Sequence, residues 1–224
     1  MPFCDELMQV SRDLWEREKA HPFVQGLGDG TLDAERFRFY LEQDYLFLIE
    51  YAKVFALAVT RARDLGTQAY FAQLCADTLN NEMALHRSYC AEFGITPADL
   101  ESAEPAQTTA GYTGHLVQTA QQGGVAEIVA AVLPCQWGYA EVARHLQGRG
   151  LPAEPRYRKW IEMYASPEFE DYGRWLRATL EAEAAPLPPL RRERLKRIFH
   201  NSSRWEYLFW EMSWHQERWQ VPAG

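Results

Sequence analysis

A carboxylate stands in the apolar face of a long predicted helix. Asp44 has Tyr40 and Leu41 one turn before it and Phe47 one turn after it. These positions follow the helical period, so they share one face, and that face is expected to lie in the core. An ionised carboxylate there is costly unless it is paired or hydrogen-bonded, and a buried one has a perturbed proton affinity suited to acid–base chemistry. Asp44 is therefore either a catalytic carboxylate or a structural one held by a Tyr hydroxyl or an Arg.

A cysteine follows a proline inside a second helical pattern. Cys135 comes directly after Pro134, and Tyr139 lies one turn later on the same face. Proline removes one helical hydrogen bond and bends the axis, and such distortions often serve functional sites. Cys135 is a candidate nucleophile, with Tyr139 in reach of what the thiol holds. The alternative is a small core residue, which is the usual role of a cysteine on an apolar helix.

A glutamate lies in the most aromatic stretch of the chain. Glu206 falls within residues 205–210, and Phe209 and Trp210 follow it by one turn. A carboxylic acid in aromatic surroundings has a raised pKa, which suits it to protonate and deprotonate a ring nitrogen. The alternative is an exposed glutamate on a helix whose other face is buried. The pattern alone does not bring Asp44, Cys135 and Glu206 together in space.

Two carboxylate–histidine pairs have spacings that raise the question of a metal site. Glu82 and His86, and Glu141 and His145, are each one helical turn apart. Helical di-iron sites usually use Glu-x-x-His and need several such ligands. Two pairs fall short of a full ligand set, so surface or structural roles are favoured, and neither a metal nor a cofactor is expected.

The elements that must position these residues are all helical in pattern, with no convincing alternating strand. Thr31 is predicted to cap a long helix that runs to about residue 63, after a turn over residues 26–30. Prolines and glycines separate the segments. The other predicted helices cover residues 5–20, 67–93, 108–121, 123–147, 154–165, 167–183 and 189–218. The sequence predicts an all-α, single-domain multi-helix bundle over residues 1–224.

Composition limits the partners and the compartment. The chain has 224 residues, 47% hydrophobic and 24% charged, which is typical of a soluble globular protein. Its net charge of −8 argues against nucleic acid and anionic membrane surfaces as partners. The longest charge-free apolar stretch, residues 128–140, is too short to span a bilayer. Four cysteines without a CxxC pair, and an N-terminus without a signal pattern, indicate a cytoplasmic protein with reduced thiols.

Motifs along nearly the whole chain resemble the TenA, or thiaminase II, family. They occur in the family's order and with compatible spacing. The matching residues are His21-Pro22-Phe23-Val24, Gly30-Thr31-Leu32, Phe37, Tyr40-Leu41, Gln43-Asp44-Tyr45, Glu82 with His86, Thr109, Tyr112-Thr113, Leu133-Pro134-Cys135 with Tyr139, Trp160-Ile161 with Tyr164, Phe169, and Glu206 with Phe209-Trp210.

The resemblance implies a fold similar to haem oxygenase, assembled as a homotetramer, with a buried pocket for an aminopyrimidine. The family hydrolyses the bond between a methylpyrimidine and its leaving group. Its salvage substrate, 4-amino-5-aminomethyl-2-methylpyrimidine, yields the hydroxymethylpyrimidine and ammonia, and many members also cleave thiamin. The cysteine at position 135 places this chain with the cysteine-bearing branch.

The resemblance also implies a role for each site residue. Glu206 would protonate or hydrogen-bond the ring nitrogen, Cys135 would add to the ring, and Asp44 would bind the ring amino group and manage the thiol proton. Phe47, where some relatives have a tyrosine, would stack on the ring, which keeps the stacking but loses a hydroxyl. The remaining substrate-binding residues implied are Tyr112 and Tyr139 for orientation, Tyr164 near the leaving group, and Phe209 in the stacking site.

Two other functions stay open on the same fold. One is an oxygen-dependent oxidase, which bound iron with oxygen consumption would support. The other is a non-catalytic pyrimidine-binding or regulatory protein, because the family was once described as a transcriptional enhancer. The acidic charge balance and the lack of a helix-turn-helix pattern argue against direct DNA binding.

Overall fold

The computed structural model describes residues 1–221, and in that range it is helical without strands. This confirms the all-α prediction. No helix among these residues has the length and apolar character needed to cross a membrane. The helices are α1 Phe3–Lys19, α2 Pro22–Asp29, α3 Ala34–Arg61, α4 Leu65–Asp77, a π-helical segment Thr78–Glu82, α5 Met83–Glu92, α6 Pro97–Ser102, α7 Gln107–Gln122, α8 Val125–Arg149, α9 Pro155–Tyr164, α10 Pro167–Ala184 and α11 Pro189–His215.

The backbone contacts divide the chain into two compact units. Unit 1 consists of Met1–Leu32 and Val125–Trp210, and unit 2 consists of Asp33–Gly124 and the described residues from Glu211 on. That residues 1–224 form one domain stays a prediction, and its last three residues lie outside the described part of the chain.

Unit 1 is built around α8. This helix packs against α10 and α9, and α2 and α1 also contact it. Residues 125–134 of α8 are all buried, so the helix is enclosed on every side over that stretch, as expected of a central core helix. The buried carboxylate of Glu127 pairs with Arg191 at 2.5 Å, which satisfies the charge that α8 carries into the core.

Unit 2 is built around α3, which packs against α4 and α7. The buried side chain of Gln43 ties α3 to the start of α7. Its amide nitrogen donates to the Glu104 carbonyl at 3.0 Å, and its oxygen accepts from the Ala106 amide at 2.8 Å and the Thr109 hydroxyl at 2.7 Å. Three hydrogen bonds from one side chain fix the helix that carries Asp44 against its neighbour.

The long helix starts two residues later than predicted. Asp33, and not Thr31, is its N-cap, because Asp33 Oδ1 accepts hydrogen bonds from the amides of Glu35 and Arg36. Both residue types are good caps, so local pattern alone did not separate them. The prediction of Thr31 as the cap was wrong.

The predicted turn over residues 26–30 is mostly helix. α2 extends to Asp29, and Gly30 ends it with φ at +75°, the left-handed conformation that favours glycine. The glycines inside α2 serve close packing instead of a turn. A Cβ at Gly28 would come within 2.6 Å of Leu146 Cδ2, and one at Gly26 within 3.2 Å of the Leu32 backbone.

Two further differences concern α4 to α6. The helix predicted over residues 67–93 is broken by the π-helical segment, which inserts one residue into the helical register. The short helix α6 was not predicted. Thr96 caps it, and the Asp99 side chain bonds back to the Thr96 amide in a capping box.

Candidate active site

Asp44 is buried on α3, as its place in the apolar stripe predicted. Only 6% of the residue is exposed, and burial raises the pKa of its carboxyl to about 7. A carboxyl with this pKa exchanges its proton near neutral pH, which suits a general base. The partner that holds it is His86, whose Nδ1 lies 3.5 Å from Asp44 Oδ2. The sequence had offered a Tyr or an Arg for this role.

The tautomer of His86 follows from its second contact. His86 Nε2 lies 2.8 Å from the carbonyl oxygen of Leu41, and a carbonyl can only accept, so Nε2 donates the proton. Burial lowers the pKa of His86 to about 4, so the ring is neutral at physiological pH. Nδ1 therefore turns a lone pair towards Asp44. This arrangement favours the protonated carboxyl, which can donate to that nitrogen.

The π-helical segment places a second carboxyl near Asp44. Glu82 ends this segment, and burial together with the charge of Asp44 raises its pKa to about 7. The two carboxyls therefore resist simultaneous ionisation. Among residues 1–221, no group of three or more His, Cys, Asp or Glu side chains is arranged to hold a metal ion.

Aromatic rings cover the same face of α3. Phe47 is 4% exposed, stacks on Tyr51 with ring centroids 5.3 Å apart, and meets the tilted ring of Tyr112 at 5.1 Å. Tyr112 comes from α7, so two helices of unit 2 contribute to this cluster. Flat aromatic surfaces at these distances suit stacking on a planar heterocycle.

In unit 1, Cys135 follows Pro134 inside an unbroken α8, as predicted. The residue is half-buried. The buried thiols of Cys4 and Cys90 differ, because burial raises the pKa of each to about 12, which makes them poor nucleophiles.

Tyr139, one turn after Cys135, joins a cluster of rings from three helices. Its centroid lies 4.9 Å from that of Tyr164, 5.8 Å from Trp160 and 5.2 Å from Trp210. Tyr164 also meets Phe169 edge-on at 5.0 Å. Trp210 belongs to α11, so the cluster connects the helix of Cys135 to the helix of Glu206.

Glu206 is 3% exposed on α11, so the prediction of a buried carboxyl is confirmed over that of a surface one. Phe209, 2% exposed, follows on the same helix. Glu206 precedes Trp210 by one turn, just as Cys135 precedes Tyr139 by one turn on α8. The rings of Tyr139 and Trp210 contact each other, so the turn of α8 after Cys135 packs against the turn of α11 after Glu206.

The predicted site residues fall into two sets. Asp44, Phe47 and Tyr112 belong to unit 2, and Cys135, Tyr139, Tyr164, Glu206 and Phe209 belong to unit 1. Three side chains near the predicted carboxyls were not predicted from the sequence to lie there. Glu82 and His86 were expected only as a possible metal-binding pair or as motif residues. Glu18, one turn after Trp15 on the buried face of α1, carried no prediction.

Comparisons with known proteins identify the family of this chain. The model of the TENA/THI-4/PQQC family matches residues 8–216. An aminopyrimidine aminohydrolase of Halalkalibacterium halodurans is 42% identical over 98% of this chain and 98% of its own length. Proteins of the same name are 40% identical in Helicobacter pylori, over 96% of this chain and 99% of theirs, and 36% identical in Bacillus subtilis, over 100% and 94%.

Solved structures show the same fold. The TenA homologue from P. horikoshii OT3 superposes with a TM-score of 0.89 at 30% identity, covering 96% of this chain and 99% of its own. A domain of Shewanella denitrificans described as having a heme oxygenase-like fold gives a TM-score of 0.74 at 16% identity, covering 95% and 92%. The predicted haem-oxygenase-like fold is therefore confirmed. The chain belongs to the TENA/THI-4/PQQC family.

Proposed function

We propose that this protein is an aminopyrimidine aminohydrolase of thiamin salvage. It converts 4-amino-5-aminomethyl-2-methylpyrimidine and water to the hydroxymethylpyrimidine and ammonia, and it accepts thiamin as a second substrate. The observation that carries the proposal is the 42% and 40% identity, over nearly the whole chain, to proteins with this name. The burial of Asp44 and Glu206 and the aromatic contacts within each unit support the residue roles proposed below.

The first step makes the pyrimidine electrophilic. Glu206 gives a proton to a ring nitrogen, and the Cys135 sulfur forms a bond to a ring carbon. Electrons from the ring then expel the exocyclic amine, which takes up a proton and leaves as ammonia. The buried position of Glu206 supports this role, because water competes little for its proton there.

The second step restores the ring. Water adds to the exocyclic carbon and loses a proton, the C–S bond breaks with its electron pair going to sulfur, and the ring nitrogen returns its proton to Glu206. The product is the hydroxymethylpyrimidine, and Cys135 is regenerated. The half-buried position of its thiol supports access for both substrate and water.

Asp44 handles the remaining proton. It accepts the thiol proton when the sulfur attacks, and its carboxyl binds the ring amino group. The pKa of about 7 supports this role, since the carboxyl is then partly ionised at neutral pH and can release the proton again. His86 fixes the orientation of Asp44 through Nδ1.

Aromatic side chains hold the ring. Phe47 stacks on the pyrimidine, and Tyr112 and Tyr139 orient the ring and the thiol. Tyr164 acts near the leaving group, and Phe209 adds apolar surface. Each of these side chains is only 1% to 9% exposed, which supports roles in contacts that are shielded from water.

The experiment measures ammonia release from the aminomethylpyrimidine by wild type, Cys135→Ala and Cys135→Ser. Both variants should lose about 10²-fold or more in kcat, because neither alanine nor a serine hydroxyl replaces the thiol as the nucleophile. The matched control is Cys75→Ala, which removes another half-buried thiol that has no proposed role. A Cys135→Ala enzyme as fast as wild type would contradict the proposal.

The assembly and the compartment belong to the same proposal. We expect a homotetramer in the cytoplasm that binds neither nucleic acid nor membranes. Size-exclusion chromatography with light scattering should give four times the chain mass of 25.9 kDa, and a monomer or dimer mass would contradict the tetramer.

A further inference from the structure

Successive turns of α1 and α11 meet in register within unit 1. The Ser11 hydroxyl lies 3.2 Å from His200 Nδ1, and one turn later Trp15 Nε1 donates to the Ser203 hydroxyl at 3.2 Å. In the same register, the next turn carries Glu18 on α1 and Glu206 on α11.

Residues on both sides of Glu18 also contact the same turn of α11. The His21 ring meets the Tyr207 ring edge-on, with centroids 5.6 Å apart. The guanidinium of Arg17 lies 4.7 Å over the same tyrosine ring. Glu18 therefore lies between two residues that contact α11, Arg17 on α1 and His21 at the N-cap of α2, and it faces the turn of α11 that carries Glu206.

Glu18 is a deeply buried carboxyl. Only 2% of the residue is exposed, and its Oε1 has no hydrogen-bond partner among residues 1–221. Its Oε2 lies against α8, at 3.9 Å from where a Cβ of Gly138 would stand. Gly138 is one turn after Cys135, so the Glu18 carboxyl reaches the helix of the proposed nucleophile as well as that of the proposed acid.

Two carboxyls so placed do not ionise together. Burial, and then the charge of Glu206, raises the pKa of Glu18 well above its usual range, and the charge of Lys19 opposes this only as the smallest contribution. The coupling is mutual, so the protons leave in two steps that belong to the pair. A singly charged pair therefore still holds one proton over a wide pH range.

We propose that Glu18 is a positioning residue that retains a proton beside Glu206, so that the acid step of catalysis continues at pH values where an isolated Glu206 would be ionised. The proposal rests on the role of Glu206 in the proposed function. When Glu206 has given its proton to the ring nitrogen, the charge left on the pair is shared with Glu18, and the returning proton is shared in the same way.

Other charged groups on the helices that pack against α1 have partners of their own. On α11, His200 contacts Ser11, and on α10, Arg177 pairs with Glu170 and covers the Trp137 ring at 4.9 Å. Glu181 of α10 accepts hydrogen bonds from the amides at the other end of α1, and the His21 Nδ1 of α2 accepts from an amide of its own turn. The charges that act on Glu18 are those of Glu206 and Lys19.

The first test is the pH profile of kcat/KM for Glu18→Gln, which keeps the side-chain volume and removes the titrating proton. Its alkaline limb should lie at lower pH than in wild type, and above that limb activity should fall about tenfold per pH unit. Glu18→Asp, which restores a carboxyl, should move the limb back towards wild type. An alkaline limb that is identical in wild type and Glu18→Gln would overturn the proposal.

The second test needs no substrate. Infrared spectroscopy at neutral pH should show stronger protonated-carboxyl absorption in wild type than in Glu18→Gln, since Asp44 and Glu82, whose pKa values are also raised to about 7, contribute equally to both proteins. The matched control is Glu127→Gln, which removes a carboxylate that is equally buried but paired with Arg191, and which should leave both this absorption and the pH profile unchanged.

These readouts separate the two proposals. If the protein releases no ammonia from the aminopyrimidine but Glu18→Gln weakens this absorption, the proposed function fails and the retained proton stands. If the absorption is the same in wild type and Glu18→Gln, the retained proton is disproved, whatever the substrate.

Discussion

Replacing Asp44 with asparagine should make the protein more stable at alkaline pH while abolishing its activity. Burial raises the pKa of Asp44 from 3.8 to about 7, so the native state resists losing this proton while the unfolded state does not. Below the unfolded-state pKa the carboxyl is protonated in both states, so its titration does not affect stability. As pH rises towards the folded-state pKa, the unfolded state ionises while the native state keeps its proton, and the native state loses stability.

The size of this loss of stability follows from the same pKa shift of Asp44. One pKa unit corresponds to about 1.4 kcal/mol, so the cost is between about 1 and 2 kcal/mol near pH 5 and about 4 kcal/mol near pH 8. Asparagine removes this cost and keeps a donor for His86 Nδ1, whose lone pair faces position 44. Losing the Asp44 charge also eases ionisation of Glu82, which acts in the same direction.

The assay is urea unfolding of wild type and Asp44→Asn at both pH values. The stability of the variant relative to wild type should rise by about 2–3 kcal/mol from about pH 5 to about pH 8. Asp171→Asn, which changes an exposed carboxylate, should show no such rise. A relative stability of Asp44→Asn that is the same at both pH values would refute the reasoning about the buried carboxyl.

Two further changes test the packing that positions the site. Gly28→Ala should destabilise the protein by about 1–3 kcal/mol in thermal unfolding, because the new Cβ would stand 2.6 Å from Leu146 Cδ2. Gly148→Ala is the control. Its new Cβ would have nothing within 4 Å, so it should be neutral or slightly stabilising. Gln43→Ala should lower the free energy of unfolding by about 2 kcal/mol or more, because three groups lose their hydrogen bond to the Gln43 side chain. The control, Gln73→Ala on the exposed face of α4, should lower it by under about 0.5 kcal/mol. Equal losses of stability in Gln43→Ala and Gln73→Ala would contradict the role given to the Gln43 hydrogen bonds. A Gly28→Ala variant more stable than wild type would contradict the close packing described at Gly28.

Apolar periodicity was sufficient to predict the burial of Asp44. The stripe around it determined one face of α3, and the structure buries that face. Glu206 was harder to place, because its aromatic neighbours left both a buried and an exposed position open. The proline before Cys135 marked its position in α8, but not the exposure of its thiol, which depends on packing by other helices.

The features that sequence reasoning missed depend on partners distant in the chain. A glutamate near the end of an amphipathic helix is usually exposed, and packing against helices distant in the chain, α8 among them, buries Glu18. The glycines of α2 indicated a turn, because the approach of Leu146 that explains Gly28 comes from a helix more than a hundred residues away. Asp33 and Thr31 are both good caps, and local propensity does not choose between them.

The π-helical segment changes which side of α5 enters the core. Before it, buried positions follow the usual spacing of three or four residues, but the step from Thr78 to Met83 is five. One added residue rotates everything that follows by about 100°. A straight helix would turn Leu85 inwards and His86 away, whereas here Leu85 is 46% exposed and His86 is 8% exposed. The chain thus gives up burial of a leucine to aim an imidazole at Asp44, a local conflict between stability and placement of the kind found at functional sites.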